Sequence, residues 1–186
     1  MPGPGDFLEL VAQLSSRLVN AAAAEVDAEV ETALRRLATF FELDRCALFR
    51  VDDGRHTARI SHRLKPVHEV PLPGELGRDG PLAWLYGAVV DRGETVSLGS
   101  LDELPPAAIE DAQILRSGGV RSVLLIPLPA PLPVEYFLSL ASSRQERHLT
   151  AAHTAQLRLL GEVFVGAIKR KLLEDGQRDA LRFEHV

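Results

Sequence analysis

Residues 119–128 read GVRSVLLIPL and residues 134–142 read VEYFLSLAS. The two runs predict strands over Arg121–Leu128 and Val134–Ser142. Neither alternates between apolar and polar in the manner of a strand with one wet face, so both are expected to be buried on both faces. The Pro-rich stretch Pro129-Ala130-Pro131-Leu132-Pro133 joins them into a hairpin. Just upstream, Pro105–Ser117 reads as a helix, with prolines at its first positions and Gly118-Gly119 past its end. Glu94–Leu98 (ETVSL) is a short strand, and Pro81–Val90 a short helix before the turn Asp91-Arg92-Gly93. The Pro/Gly-rich stretch 66–80 has the length of a functional or mobile loop.

The N-terminal part has a different rhythm. Phe7, Leu10, Val11, Leu14 and Leu18 form one helical stripe, with Asp6 as a possible cap. Val26, Val30, Ala33, Leu34, Leu37, Ala38 and Phe41 mark a second helix. Ala21–Ala24 could bend or continue the first, since alanine favours helix throughout. Arg45–Val51 and His56–Leu64 predict a hairpin closed at Asp52-Asp53-Gly54. Thr150 to about Glu174 is a long final helix whose apolar residues fall on more than one face. Five strands, paired as hairpins, with helices at both ends give an α+β domain around an antiparallel sheet.

Composition narrows the function. Of 186 residues, 46% are hydrophobic and 25% charged, enough to build a core without metals or disulfides. The net charge of −5 argues against binding a nucleic-acid backbone, which needs a basic footprint. The single Cys46 excludes an internal disulfide and a Cys-rich zinc site and fits a reducing cytoplasm. The longest uncharged stretch, Ser122–Val134, is interrupted by four prolines and is too short to span a bilayer. The opening MPGPGD lacks the basic start and apolar core of a signal peptide. Residues 1–5 are expected to be disordered.

The segments LDRCALFRVDDG (43–54), WLYGAVVDRGETVSLGSLDELP (84–105), GVRSVLLIPL (119–128) and EVFVGAIKRK (162–171) together resemble the GAF domain, the PAS-related input module of bacterial signalling proteins. Such modules stand ahead of histidine kinases and transcriptional activators. The resemblance implies a sheet of about five to six antiparallel strands, with terminal helices on one face and short helices and loops on the other. It implies a domain over 6–174. Residues 179–186 (DALRFEHV) resemble the linker entering the ATPase domain of sigma-54-dependent activators, so 175–186 is expected to lead to an output domain in cis. Two features depart from the family: PAPLP replaces a Gly-rich hairpin turn, and Tyr136 stands where Gly is common.

Period-2 alternation groups Ala47, Phe49 and Val51 on one sheet face. By resemblance to bilin-binding members, that face is the ligand side, Phe49 replaces a chromophore-contacting Tyr, and Val123, Leu125, Phe137 and Ser139 join it. Trp84 is the further pocket candidate, amphipathic and set just after the long loop. Trp84 and Tyr86 lie about 200° apart on a helix and cannot both face the sheet. The implied function is cytoplasmic sensing of an apolar or weakly polar small molecule, with 66–80 as a lid. A homodimer seam of Leu10, Leu14, Leu157, Leu160, Phe164 and Ile168 would carry the signal onward. The alternatives are a ligand-free dimerisation module and a GAF-fold enzyme.

No catalytic residue, metal site or cofactor is assigned. Cys46 reads as a small buried hydrophobe. His62 and His68, near the long loop, are the only candidates for a haem ligand, and solvated histidines are the simpler reading. His148 and His153 are five apart and do not share a helix face. Gly74, Gly77 and Gly80 follow no predicted strand and precede no Gly-Lys-Ser/Thr, so they make no phosphate loop. The Asn-Lys-x-Phe-Asp-Glu pattern of cyclic-nucleotide-binding members is missing. Ser122 and Ser139 lie in apolar strands, where a hydroxyl needs a partner or a ligand. Asp102, Glu103, Glu110 and Asp111 read as a solvated acidic face.

Overall fold

The computed structural model describes residues 3–64, 72–128 and 132–183. Six strands form one sheet: β1 Arg45–Val51, β2 Thr57–Arg63, β3 Glu75–Gly77, β4 Val96–Leu98, β5 Ser122–Leu128 and β6 Tyr136–Ser142. The strand order is β3-β2-β1-β6-β5-β4, and each neighbouring pair is antiparallel. Three helices, α1 Pro4–Asn20, α2 Val26–Phe41 and α5 Ala151–Phe183, cover one face. The other face carries α3 Ala83–Tyr86, which runs on as a π-helical turn over Gly87–Asp91, and α4 Ile109–Ser117. The architecture is the α+β arrangement expected, with β3 as a strand inside the stretch read as loop. Of that stretch, residues 66–71 lie outside the described residues, as do Pro129-Ala130-Pro131 and His68.

β5 is buried along its whole length, and β6 at every residue except Ser139, which is partly exposed. Alternation splits their side chains between two cores. Leu124, Ile126, Leu128, Leu138 and Leu140 pack with the terminal helices; Val123, Leu125, Phe137 and Ala141 pack with α3 and α4.

Tertiary contacts decide what propensity leaves open between α1 and α2. Ala21 and Ala22 are extended, and the chain restarts through a 3₁₀ turn at Ala23–Glu25. Arg170 on α5 donates to the Leu18 and Ala21 carbonyls at 3.0 and 3.2 Å, which caps α1 from another helix. Arg17 and Glu29 pair across the bend at 3.0 Å.

Four expectations about the terminal segments are corrected. Pro4 and Gly5 belong to α1, with Pro4 as its first residue, as the missing N–H allows. Asp6 lies inside the first turn and accepts from the Gly3 N–H at 2.7 Å. The final helix continues past 174 to Phe183, so the expected linker is helical through most of its length; Glu184, His185 and Val186 lie outside the described residues. Finally, Leu10, Leu14, Leu157, Leu160, Phe164 and Ile168 are buried inside the chain, at 7% exposure or less. They hold the helices to the sheet and have no surface left for a second subunit. The exposed apolar residues of α1 and α5 are others: Leu8, Val19, Leu159, Leu172, Leu173 and Leu181. Among the described residues, no helix is long and apolar enough to cross a membrane.

α5 packs against β5 at Gly161, where an added Cβ would sit 2.6 Å from Cδ1 of the fully buried Leu128. Gly161→Ala gains about 1 kcal/mol of helix propensity but overpacks a closed core, at a cost of about 1–3 kcal/mol. Urea unfolding is expected to show a net loss of stability, and a gain would mean that the contact relaxes freely.

Candidate functional site

The face of the sheet under α3 and α4 holds a cavity of about 400 Å³, near the lower end of small-molecule sites, about 300–1,000 Å³. Strand register explains why it stays open. Ala47 pairs with Ser139, which pairs with Leu125; Ala141 lies between Arg45 and Val123. Three small side chains, Ala47, Ser139 and Ala141, therefore meet at the middle of the sheet, and the residues arching over them cannot reach down to fill the gap. Phe49 and Phe137, opposite each other in the next row, stack at 4.7 Å with their rings 6° from parallel and close one end. Leu72, Leu76, Leu82, Leu85 and Leu115 form the roof.

Phe49, Val123, Leu125, Phe137 and Ser139 all line this cavity. Trp84 does not. It is half-buried beside the apolar cluster, with the Arg92 guanidinium 5.8 Å from its ring centroid. Leu82 and Leu85 take the place expected for it. The helical geometry that separates Trp84 from Tyr86 buries Tyr86 completely, and burial pushes its phenol pKa up. Its hydroxyl has no partner among the described residues.

A β-bulge decides which polar groups face the cavity. The β1–β2 register shifts between Leu48, opposite His62, and Phe49, opposite Ile60, leaving Ser61 unpaired. Such an extra residue reverses the facing of everything beyond it. Ala58 and Ile60 face the cavity. His62, which simple alternation would put beside them, instead reaches the helix face, where its Nε2 lies 2.9 Å from Asp27 Oδ1. The haem-ligand reading of His62 fails for this reason, and Arg63 comes to the cavity in its place. Periodicity gave no hint of Arg63; strand spacing carries no mark of a bulge here.

At the same end, Arg45 is fixed by donating to the Gly118 carbonyl at 2.9 Å and to Ser143 Oγ at 3.3 Å. The Ser139 hydroxyl has no hydrogen-bond partner among the described residues, whereas Ser122 donates to the Gln145 carbonyl at 3.4 Å. Cys46 is buried among the residues under the terminal helices. Among the described residues, no cluster of three or more His, Cys, Asp or Glu could hold a metal ion.

Asp111 is not part of a solvated acidic face. It is buried on α4, and its carboxylate accepts the Leu85 N–H at 2.8 Å, capping the first turn of α3 from across the roof. Leu82, immediately before α3, is buried in the left-handed conformation (φ 58°), which is costly for leucine. The cap and the strained residue fix Leu82 and Leu85 over the cavity.

Comparison with known proteins agrees with this architecture. The GAF domain family model matches residues 25–130, more than half of the chain. This chain is a GAF domain family member. Solved structures with the same fold include the GAF domain of an Acinetobacter phosphoenolpyruvate-protein phosphotransferase, with 17% identity, TM-score 0.65, and coverage of 91% of this chain and 95% of that one. A free methionine-R-sulfoxide reductase from Neisseria meningitidis, solved with its substrate, has 15% identity, TM-score 0.69, and coverage of 90% and 91%. A red/green cyanobacteriochrome in its green-light-absorbing state has 16% identity, TM-score 0.58, and coverage of 81% and 98%. At these identities the likeness establishes the fold alone. No curated protein matches the sequence.

Burial raises the Asp111 pKa above the ordinary aspartate value of 3.8, outweighing the opposing hydrogen bonds from the Leu85 and Trp84 N–H groups. The native state thus keeps the proton to higher pH than the unfolded chain. The contribution of Asp111 to stability is full below the unfolded value and falls as pH rises through the native one. Asp111→Asn retains an acceptor and should remove this part of the pH dependence. Asp111→Ala, which leaves buried N–H groups unpaired, should cost about 1–3 kcal/mol. Chemical denaturation of the three proteins from pH 3 to 8 checks both; parallel profiles for wild type and Asp111→Asn would contradict the assignment.

Proposed function

We propose that this GAF domain is a small-molecule sensor that acts by binding rather than catalysis and passes the bound state through its terminal helices to an output domain in cis, as part of a cytoplasmic signalling or transcription-regulating protein. The observation that carries the reading is the apolar cavity of about 400 Å³ held open by Ala47, Ser139 and Ala141. An unoccupied apolar void costs stability, on the order of 24 cal/mol per Å³; a ligand recovers it. Among the described residues, the lining includes guanidiniums, a hydroxyl and a thiol but no imidazole or carboxylate, and this supports binding over acid–base catalysis. The lone Cys46 supports the cytoplasmic setting.

The bulge offers a route outward. Ile60 and Arg63 line the cavity, and between them His62 binds Asp27, which also pairs with Lys171 of α5 at 3.3 Å. The His62 hydrogen bond first, and then Lys171, hold the Asp27 carboxyl below its ordinary value against the opposing effect of partial burial. A ligand that shifts β2 would thus pull on α5.

Native mass spectrometry of gently purified protein tests the sensor reading. Wild type is expected to retain a small molecule that Ser139→Phe, which fills the cavity floor, does not. Equal spectra from two folded proteins would count against it.

The dimer is proposed through the exposed leucines of α5, with Leu159 and Leu173 on one side of the helix. Light scattering should show a dimer that Leu173→Asp turns into a folded monomer; a monomeric wild type at high concentration would end the idea.

A further inference from the structure

We propose that Ser61, His62 and Asp27 form a nucleophile, its base and a positioning carboxylate, and that Ser61 Oγ takes an acyl group from an activated ester. None of the three lines the cavity, and the proposal does not depend on the sensor reading.

Neighbouring residues of a regular strand point to opposite faces, so a serine and the histidine after it do not meet there. The bulge removes that restriction. It leaves Ser61 outside the β1–β2 register, and the Ser61 hydroxyl and His62 Nδ1 come to 2.7 Å. On the other side of the ring, Nε2 lies 2.9 Å from Asp27 Oδ1, in the first turn of α2. Lys171 of α5 holds the second Asp27 oxygen at 3.3 Å. Elements far apart in sequence thus fix one chain of contacts. It starts at an exposed serine and runs through an imidazole that is 10% exposed.

The charge on Asp27 sets the direction of that chain. The His62 hydrogen bond first, and then Lys171, keep its carboxyl ionised to lower pH than an ordinary aspartate, against partial burial. An ionised carboxylate only accepts. In the neutral imidazole, Nε2 therefore carries the proton, and the Nδ1 lone pair faces the Ser61 O–H. This is the arrangement in which a histidine draws the proton from a serine, with the two ring nitrogens exchanged relative to the serine proteases.

Attack forms a bond between Oγ and the acyl carbon while the hydroxyl proton passes to Nδ1. Collapse of the adduct breaks the bond to the leaving oxygen, which takes the proton from Nδ1. The products are an ester on Ser61 and a free alcohol or phenol, with nothing oxidised or reduced. A positioned base contributes about 10²–10⁴-fold, well short of the roughly 10⁶–10¹⁷-fold typical of enzymes. The donor must therefore bring a good leaving group, which points to activated esters rather than amides. The ester also takes from His62 the hydroxyl donor beside the Asp27–Lys171 link, so acylation is a covalent input to the terminal helices.

Incubation with 4-nitrophenyl acetate, followed by peptide mapping in a mass spectrometer, tests this. Wild type is expected to carry an acetyl ester on Ser61 that alkaline hydroxylamine removes, unlike an acetyl-lysine amide. Ser61→Ala, at an exposed position, should fold and lose this adduct while its lysines react as before. His62→Gln should slow ester formation about a hundredfold. Asp27→Asn should slow it about tenfold, and Asp27→Glu should recover part of that loss. Acetyl groups on lysines alone, or a Ser61 ester formed as fast in His62→Gln as in wild type, would overturn the proposal. If His62→Gln does not fold, equal rates in wild type and Asp27→Asn would overturn it instead.

Discussion

Strands β5 and β6 are covered on both sides, and the rest of the molecule follows from that. Apart from Pro127, every apolar side chain of β5 and β6 belongs to one of two cores, and its parity decides which. A slip of one residue would exchange the two sets completely. The apolar side chains facing the terminal helices are all large: Leu124, Ile126, Leu128, Tyr136, Leu138 and Leu140 pack in one layer with Phe41, Leu160 and Phe164. The opposite set mixes Phe137 with Ser139 and Ala141, and the mismatch in size leaves the cavity. One face supplies cohesion and the other supplies room.

What could be read from the residues follows the same division. Five of the six strands, the two coverings of the sheet and five of the six expected pocket residues were legible because period-2 alternation assigns a face at each position. Three features were not. The bulge at Ser61 changes parity without changing composition, so neither the turn of His62 toward the helix face nor the place of Arg63 at the cavity could be read. The break between α1 and α2 depends on Arg170, about 150 residues away in the chain, and no local preference records it. Asp111 looked like its acidic neighbours because an exposed carboxylate and a helix cap across the fold have the same sequence signature.

The leucines assigned to a dimer seam illustrate a further limit. An apolar stripe on a terminal helix reports that something covers it and does not say what. Here the sheet is the cover, and the residues at 7% exposure or less are those with the strongest helical periodicity. The leucines left in solvent, Leu159 and Leu173 among them, sit off that stripe, which is why the periodicity passed them over.

In the proposed sensor, the bulge also decides how binding could reach α5. That helix packs on β5, β6, α1 and α2, whereas α3 and α4 lie across the sheet from it. A shift of the roof has to pass through the sheet, and a continuous hydrogen-bonded ladder resists it. The ladder between β1 and β2 is interrupted at Ser61, between two cavity residues, and the side chain it diverts is the one that reaches Asp27. Asp27 lies in the first turn of α2 and holds Lys171 of α5 with its other oxygen. An irregularity that straight pairing would have removed thus places a break in the ladder beside the cavity and links it, through His62 and Asp27, to Lys171 of the long helix. Because the Asp27 links are partly exposed ion pairs, each worth little on its own, they can be remade at small cost when β2 moves, while the closed layer beneath stays fixed.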